Sequence, residues 1–381
     1  MSYQNYIKSP VVRQTATLPS LQRLNSADRE HAIRQLQEEM AYNYYPTKNA
    51  QVDSQVESSV ILSSANIKAD FTSIQGRRMS QEDSEIVFQN QNYQIFSVFD
   101  GHGGRECAAF CASAFIDTFL NEVINVPPKA ALFNSFISCD NAFSRRGLDT
   151  VGCTATCLVH DIRSKKLFIA NTGDSKTVVG FKKLAQPGGR QTPTLQNQIV
   201  FSTLDHKPSA PSEQARIKKS FPNTRIVTMM GIARVDGQLS LSRAIGDEYM
   251  KMSGIIPDPD LYEHSAENIE YVLLACDGLF DVFSVTEVDD MVRTMKTGKR
   301  TSLHNTKAQL LDAALAYFNG NQPEGDKLMG AIAGQRIYKT NACEDVSPTQ
   351  NKSKKMSQVL TKLAFWKNSM DNITVIVGLV D

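Results

Sequence analysis

From about residue 58 onward the chain is a succession of apolar runs of strand length, rich in β-branched and aromatic residues and broken every few positions by turn residues. Each run can cross a sheet once and is too short for a helix, which commits the chain to many short strands. The runs that read as strands are Glu85 to Phe88, Gln94 to Phe99, Thr154 to His160, Lys166 to Ala170, Thr177 to Phe181, Tyr271 to Cys276 and Ile373 to Val380. Between them, Arg105 to Ile124, Thr286 to Met295 and Lys307 to Phe318 each carry an apolar face at helical spacing. Strands joined partly by hairpin-length turns, with helices between, predict an α+β fold with a largely antiparallel sheet system.

Residues 1–57 read differently: polar, Gln- and Ser-rich, and broken near Pro46. They are expected to be an extension carrying one amphipathic helix, with Ile33, Leu36, Met40 and Tyr44 on one face behind a cap at Asn25 or Ser26, packed on the main domain in preference to the alternative of a partner-binding helix. The main domain is expected over 58–381. A Gly-, Asn-, Gln-, Lys- and Pro-rich segment at about 319–355 interrupts the pattern before the last strand and reads as a surface insertion.

Bulk properties exclude several classes of function. Forty-one basic and forty acidic side chains leave a formal charge of +1, which removes the electrostatic argument for nucleic acid or an anionic membrane as partner. No run approaches the roughly 20 apolar residues needed to span a bilayer. The first thirty residues are unlike a secretory signal, and Ser2 gives no myristoylation site. Seven scattered cysteines with no C-x-x-C pair suit reduced thiols in the cytosol or nucleus. Cys107 with Cys111, and Cys153 with Cys157, are spaced by four and read as small buried packing residues rather than zinc ligands.

The chemistry is carried by carboxylates. Asp100 and Asp277 each end an apolar run and precede glycine, Asp371 immediately precedes the last strand, Glu82 and Asp83 precede the run that starts at Ile86, and Asp174 lies in a tight turn between two strands. A carboxylate at the edge of a buried strand is unfavourable unless paired or coordinated, and several together repel. A divalent metal resolves both problems, and an all-oxygen ligand set favours Mg²⁺ or Mn²⁺ over Zn²⁺. Glycine at 101 and 278 permits close backbone approach, so the Gly101 carbonyl can join the coordination shell.

In order along the chain stand Gly76-Arg77-Arg78 leading to Glu82-Asp83, Phe99-Asp100-Gly101-His102-Gly103-Gly104, Gly152-Cys153-Thr154-Ala155 and Ala170-Asn171-Thr172-Gly173-Asp174-Ser175. Then follow Asp205-His206-Lys207-Pro208, Leu241 to Asp247, Ala275-Cys276-Asp277-Gly278-Leu279-Phe280-Asp281 and Asp371-Asn372-Ile373-Thr374-Val375. Together, from about Gln75 to Val380, they resemble the motifs of the eukaryotic metal-dependent serine/threonine protein phosphatases of the 2C type. Gln81, Cys153 and Phe280 depart from the family's usual residues, Cys153 standing in place of Ser and Phe280 in place of Trp, and none of these changes removes a ligand.

The resemblance implies two stacked, mainly antiparallel sheets flanked by helices, with metals in a cleft at one end. Carried over by position, it implies a two-metal centre on Asp83, Asp100, Asp277, Asp371 and the Gly101 carbonyl, with Glu82 acting through water. Asp174 and Asp281, with Asp277, would hold a third, weaker ion. The implied activity is hydrolysis of phosphoserine and phosphothreonine by a hydroxide bridging two metals. Arg78, four residues before Glu82, is the expected phosphate clamp, and Arg77 is expected in a surface or structural ion pair. His102, two residues after a metal ligand, is the expected general acid.

His206, Arg243 and Asp247 are expected to support the fold. Arg216, Lys218, Lys219 and Arg225 lie where the family carries a flap and read as a solvated basic face that could attract acidic substrate segments. The expected partners are phosphoprotein substrates, without nucleic acid or membrane, and the expected state is a monomer. Two rivals are weighed against this reading: a catalytically silent phosphoprotein-binding scaffold of the same fold, and a two-metal nuclease or phosphodiesterase. The complete carboxylate set argues against the first, and the neutral charge without an aromatic-interleaved basic groove against the second.

Overall fold

Alternation along the strands sets the architecture of the computed structural model, which describes residues 66–182, 199–334, 346 and 349–380. In β3 (Tyr93–Phe99), Phe96 and Val98 face one way and Ile95 and Phe99 the other, and all four are buried. A strand buried on both faces must be covered on both faces.

Two five-stranded antiparallel sheets supply one set of covers. The first has the order β1 (Ile67–Ile74), β15 (Ile373–Val380), β14 (Ile269–Ala275), β8 (Lys176–Phe181), β9 (Val200–Ser202). The second has the order β13 (Asp260–Ser265), β7 (Lys166–Thr172), β6 (Ala155–Asp161), β3, β2 (Ser84–Gln89). Phe96, Val98, Leu158 and Ile169 of the second sheet pack on Val179, Val272, Leu274 and Ile376 of the first.

Helices cover the outer faces. Against the second sheet lie α1 (Glu106–Glu122) and α2 (Pro128–Ser144), whose Phe115, Phe119 and Phe136 meet Ile95, Phe99 and Val159. Against the first lie α5 (Val285–Thr297), α6 (Ala308–Phe318), α7 (Gln322–Ala333) and α8 (Lys352–Trp366). The layers are therefore α-β-β-α, as expected. Beside them stand a short three-stranded sheet, β12 (Ile245–Gly246), β5 (Gly152–Cys153) and β4 (Gly101–His102), and a segment made of α3 (Pro211–Ser220) and the hairpin β10 (Ile226–Met229) with β11 (Ile232–Val235).

The seven strands and three helices read from the sequence appear within a few residues of their expected limits. The pattern did not reveal β1, β13, α2, α7 or α8. In α2 the helix-start signal was present, since Pro127 and Pro128 sit at its first positions. Within the segment read as a surface insertion, α7 buries Met329 and sets Gly325 against the Tyr317 ring, and α8 starts at Lys352. The amphipathic helix expected over Ile33 to Tyr44 lies outside the described residues. Among the described residues no helix is long and apolar enough to cross a membrane.

Candidate metal centre

Strand ends bring the distant carboxylates to one place. Asp83 leads into β2, Asp100 follows β3, Asp371 precedes β15, and Asp277 opens the short helix α4 (Asp277–Phe280) directly after β14. Since β3 belongs to one sheet and β14 and β15 to the other, the stacking of the sheets collects these groups at one end of the sandwich. Two glycines permit the approach. A side chain at Gly101 would run into the Glu82 carbonyl, and one at Gly278 into the Asn372 carbonyl.

The ionisation of the cluster shows how tightly it is drawn. Burial, aided by the Asp371 and Glu85 charges and opposed by hydrogen bonds from Thr374 and Cys276, pushes the Asp83 carboxyl up to about 6. Asp100 is raised well above the carboxylate range by desolvation, then by Asp83, Asp277, Asp174 and Asp371. Asp277 is raised by desolvation and by Asp174, Asp281 and Asp371, with Lys207 pulling the other way. Burial also raises Asp281.

Asp83 Oδ2 accepts from Thr374 Oγ1 at 2.6 Å, whereas Asp83 Oδ1 and Asp277 Oδ1 are buried oxygens that meet no donor. Orphaned, mutually repelling carboxylate oxygens are unfavourable in a protein interior and are what hard divalent cations neutralise. The donor set therefore fits Mg²⁺ or Mn²⁺. Asp83, Asp100 and Cys276 also offer ligand atoms within 4.8 Å of one another, although a buried thiol raised well above its ordinary ionisation by burial is a poor partner for a hard ion.

Each remaining candidate has a definite place. Arg78 is half exposed, donating from Nη2 to Asp371 Oδ2 at 2.6 Å and from Nε to the Met370 carbonyl at 3.3 Å. Arg77 donates to the Phe365 and Ser369 carbonyls, both at 2.7 Å, and to Asn368 Oδ1 at 3.5 Å, and lies over the Phe365 ring, where the sequence pointed to an ion pair. The side chain of Glu82 accepts from Ser80, and its backbone N–H donates to Asn372 Oδ1 at 3.0 Å. Asp174 lies beside Lys207 at 3.1 Å, while His206 Nδ1 accepts from the Gly173 N–H in the same turn. Lys176, paired with Asp205, is held down to about 8 by burial.

His102 Nε2 lies 2.6 Å from Asp247 Oδ2, and Asp247 is fully buried. Asp247 therefore touches a candidate catalytic side chain in addition to its expected support of the fold. Within the basic stretch, Arg216 is not a solvated charge. It donates to Glu213 and to the Gly254 and Ser242 carbonyls, and Arg243 binds the same Glu213 and Asp260.

Sequence reasoning passed over Thr374 and Asn372. Asn372 donates to the Gln75 and Ser80 carbonyls at 2.8 Å, tying the 75–82 loop to the start of β15. Both residues lie in the quoted Asp371 to Val375 motif, and the available signal was Asn372 just before the last strand with Thr374 as the single polar side chain inside it.

Comparison with known proteins gives a consistent picture. The family model described as Protein phosphatase 2C matches residues 67–322. The chain is 32% identical over 270 residues to Protein phosphatase 2C homolog 3 of Schizosaccharomyces pombe, a match covering 64% of this chain and 58% of that protein. It is 30% identical over 337 residues to Protein phosphatase 2C 56 of Arabidopsis thaliana, covering 81% of this chain and 67% of the relative. Among solved structures, a Caenorhabditis elegans sex determining protein superposes with a TM-score of 0.59 at 20% identity, covering 98% of this chain and 76% of the other. A Toxoplasma gondii serine-threonine phosphatase 2C superposes with a TM-score of 0.53 at 19% identity, covering 84% and 97%. At such identities the superpositions speak for the fold alone.

Proposed function

Because the chain belongs to the protein phosphatase 2C family, we propose that it removes phosphate from phosphoserine and phosphothreonine in other proteins at a centre holding two Mg²⁺ or Mn²⁺ ions. The observation that carries this reading is the crowding of Asp83, Asp100, Asp277 and Asp371 from distant segments, with two of their oxygens buried and unpartnered.

These four carboxylates and the Gly101 carbonyl would hold the ions, with Glu82 acting through water. Asp174 and Asp281, with Asp277, would hold a third, weaker one. Bound there, the ions supply Lewis acidity, lowering the pKa of water and neutralising charge on the phosphoryl oxygens.

The chain's own side chains do the rest. Arg78, at the exposed edge and steadied by Asp371, offers its planar fork to two phosphoryl oxygens as negative charge spreads over them. His102 delivers a proton to the departing serine or threonine oxygen. Asp247 engages Nε2 and fixes the ring, which assigns the donation to Nδ1. The same reading makes phosphoproteins the substrates. It sets the protein in the cytosol or nucleus, where the buried thiols stay reduced.

The test is hydrolysis of p-nitrophenyl phosphate and of a phosphothreonine peptide with Mn²⁺, followed by EDTA. Asp100→Ala or Asp277→Ala should cost orders of magnitude in turnover while leaving the circular dichroism spectrum intact. His102→Ala should slow the peptide, with its poor leaving group, more than the nitrophenyl ester. Turnover that survives EDTA, or none with any divalent ion, would reject the proposal.

A further inference from the structure

Behind the short strand that carries Gly101 and His102, three cysteine sulfurs face one point. Cys107 and Cys111 stand one turn apart on α1, and Cys153 comes from β5, which pairs with Gly101 on one side and Ile245 on the other. Cys153 Sγ lies 3.3 Å from Cys107 Sγ and 3.8 Å from Cys111 Sγ, and all three sulfurs fall within 4.8 Å of one another. All three residues are fully buried, and none is in a disulfide.

Packing alone accounts for small residues at these places. It does not call for three sulfurs converging on each other, when alanine or serine would fill similar space. Sulfurs at these separations can all be reached from one point about 2.3 Å away, the length of a Zn–S bond. Soft donors select a different ion from the oxygen cluster of the phosphatase centre, so the two sites do not compete for the same metal.

We propose that Cys107, Cys111 and Cys153 form a three-thiolate site for one thiophilic divalent cation of the zinc and cadmium type. As the ion binds, each thiol releases its proton to solvent and each sulfur forms one bond to the metal, leaving a site of net charge −1. Two features ease that charge in a buried setting. Cys107 lies in the first turn of α1, at the positive end of the helix dipole. Cys139 of α2 presents its thiol to Cys111, a hydrogen-bond partner for a coordinated sulfur. An occupied site ties α1 to the strands beside Gly101 and His102. The proposal stands on the sulfur geometry and not on the phosphatase reading.

The experiment uses the full chain, reduced and freed of carboxylate-bound ions with EDTA that is then removed. Cd²⁺ alone is titrated in, and the ultraviolet sulfur-to-cadmium charge-transfer absorption is recorded; oxygen ligands produce no such band. The expected result is a band that saturates at one equivalent and a raised thermal midpoint. Cys153→Ser places the family's serine there and should fold, with Cd²⁺ binding through this band weakened at least about tenfold. Cys157→Ser, a buried thiol of β6 outside the cluster, should keep the band. Absence of the band in the parent chain, or its survival in both Cys153→Ser and Cys107→Ser, would overturn the proposal.

Discussion

Replacing Asp83 by Asn should make the metal-free protein more stable while abolishing its metal-dependent activity. Asp83 is almost fully buried, and its surroundings lift its carboxyl from the ordinary 3.8 to about 6. At about 1.4 kcal/mol per pH unit, the fold works against the ionised form by roughly 3 kcal/mol. The direction follows from linkage. Below about pH 4 the carboxyl is protonated in folded and unfolded chains alike and there is no penalty. The penalty grows as the pH rises from about 4 to 6 and is complete above that.

Asparagine keeps an oxygen to accept from Thr374 and turns its amide toward Asp100, a neighbour that can accept. The substitution should therefore recover most of the penalty near pH 7.5, a rise in Tm of roughly 3–5 °C for a domain of this size. The assay is thermal unfolding followed by circular dichroism in EDTA, at pH 7.5 and pH 4, beside Mn²⁺-dependent phosphate release. An unchanged or lower midpoint at pH 7.5, or an equal gain at pH 4, would refute the electrostatic reasoning. A buried carboxylate whose replacement raises stability is one whose charge is kept for function.

Other perturbations probe the supports of the site. Thr374→Val removes the donor to Asp83 and should weaken apparent Mn²⁺ affinity by about tenfold or more, read from activity against metal concentration. Gly278→Ala pushes a methyl group into the Asn372 carbonyl between two ligand segments; it should cost about 1–3 kcal/mol in urea unfolding and lower turnover, and a neutral result would contradict the close approach. Glu213→Ala removes the carboxylate that Arg216 and Arg243 share, leaving Arg243 with Asp260 and Arg216 with backbone carbonyls, and should destabilise the fold by about 2–4 kcal/mol. In the parent chain those guanidiniums offset the burial of the Glu213 carboxyl and depress it to about 2, so its stabilisation is present above about pH 4.5 and is lost as the pH falls toward 2, which acid titrations of the parent and the variant would show.

The strands Thr154 to His160 and Ile373 to Val380 were legible because burial on both faces leaves a mostly apolar, β-branched run in which threonines are among the few polar residues. Strand β1 was not, since at a sheet edge most of its residues are only partly covered and its polar and apolar residues mix. Helix α8 opens with three lysines, and Lys354 spends its charge on Asp70 and the Phe71 ring, contacts from a strand nearly three hundred residues away. No local pattern announces such a partner.

By itself the sequence determined the chemical character of the protein. It set an abundance of short strands, an acidic residue at the end of each critical one, oxygen donors suited to hard cations, and an ordered set of motifs. Identity and spacing are local properties, so they survive in one dimension. The tertiary structure alone decided which carboxylates press on one another, that Asp247 grips His102, that Arg216 serves Glu213 rather than a substrate, and that three cysteines spread over forty-seven residues of chain share one point. Those facts depend on how two sheets stack and how helices close over them, and separation along the chain carries no record of distance in space.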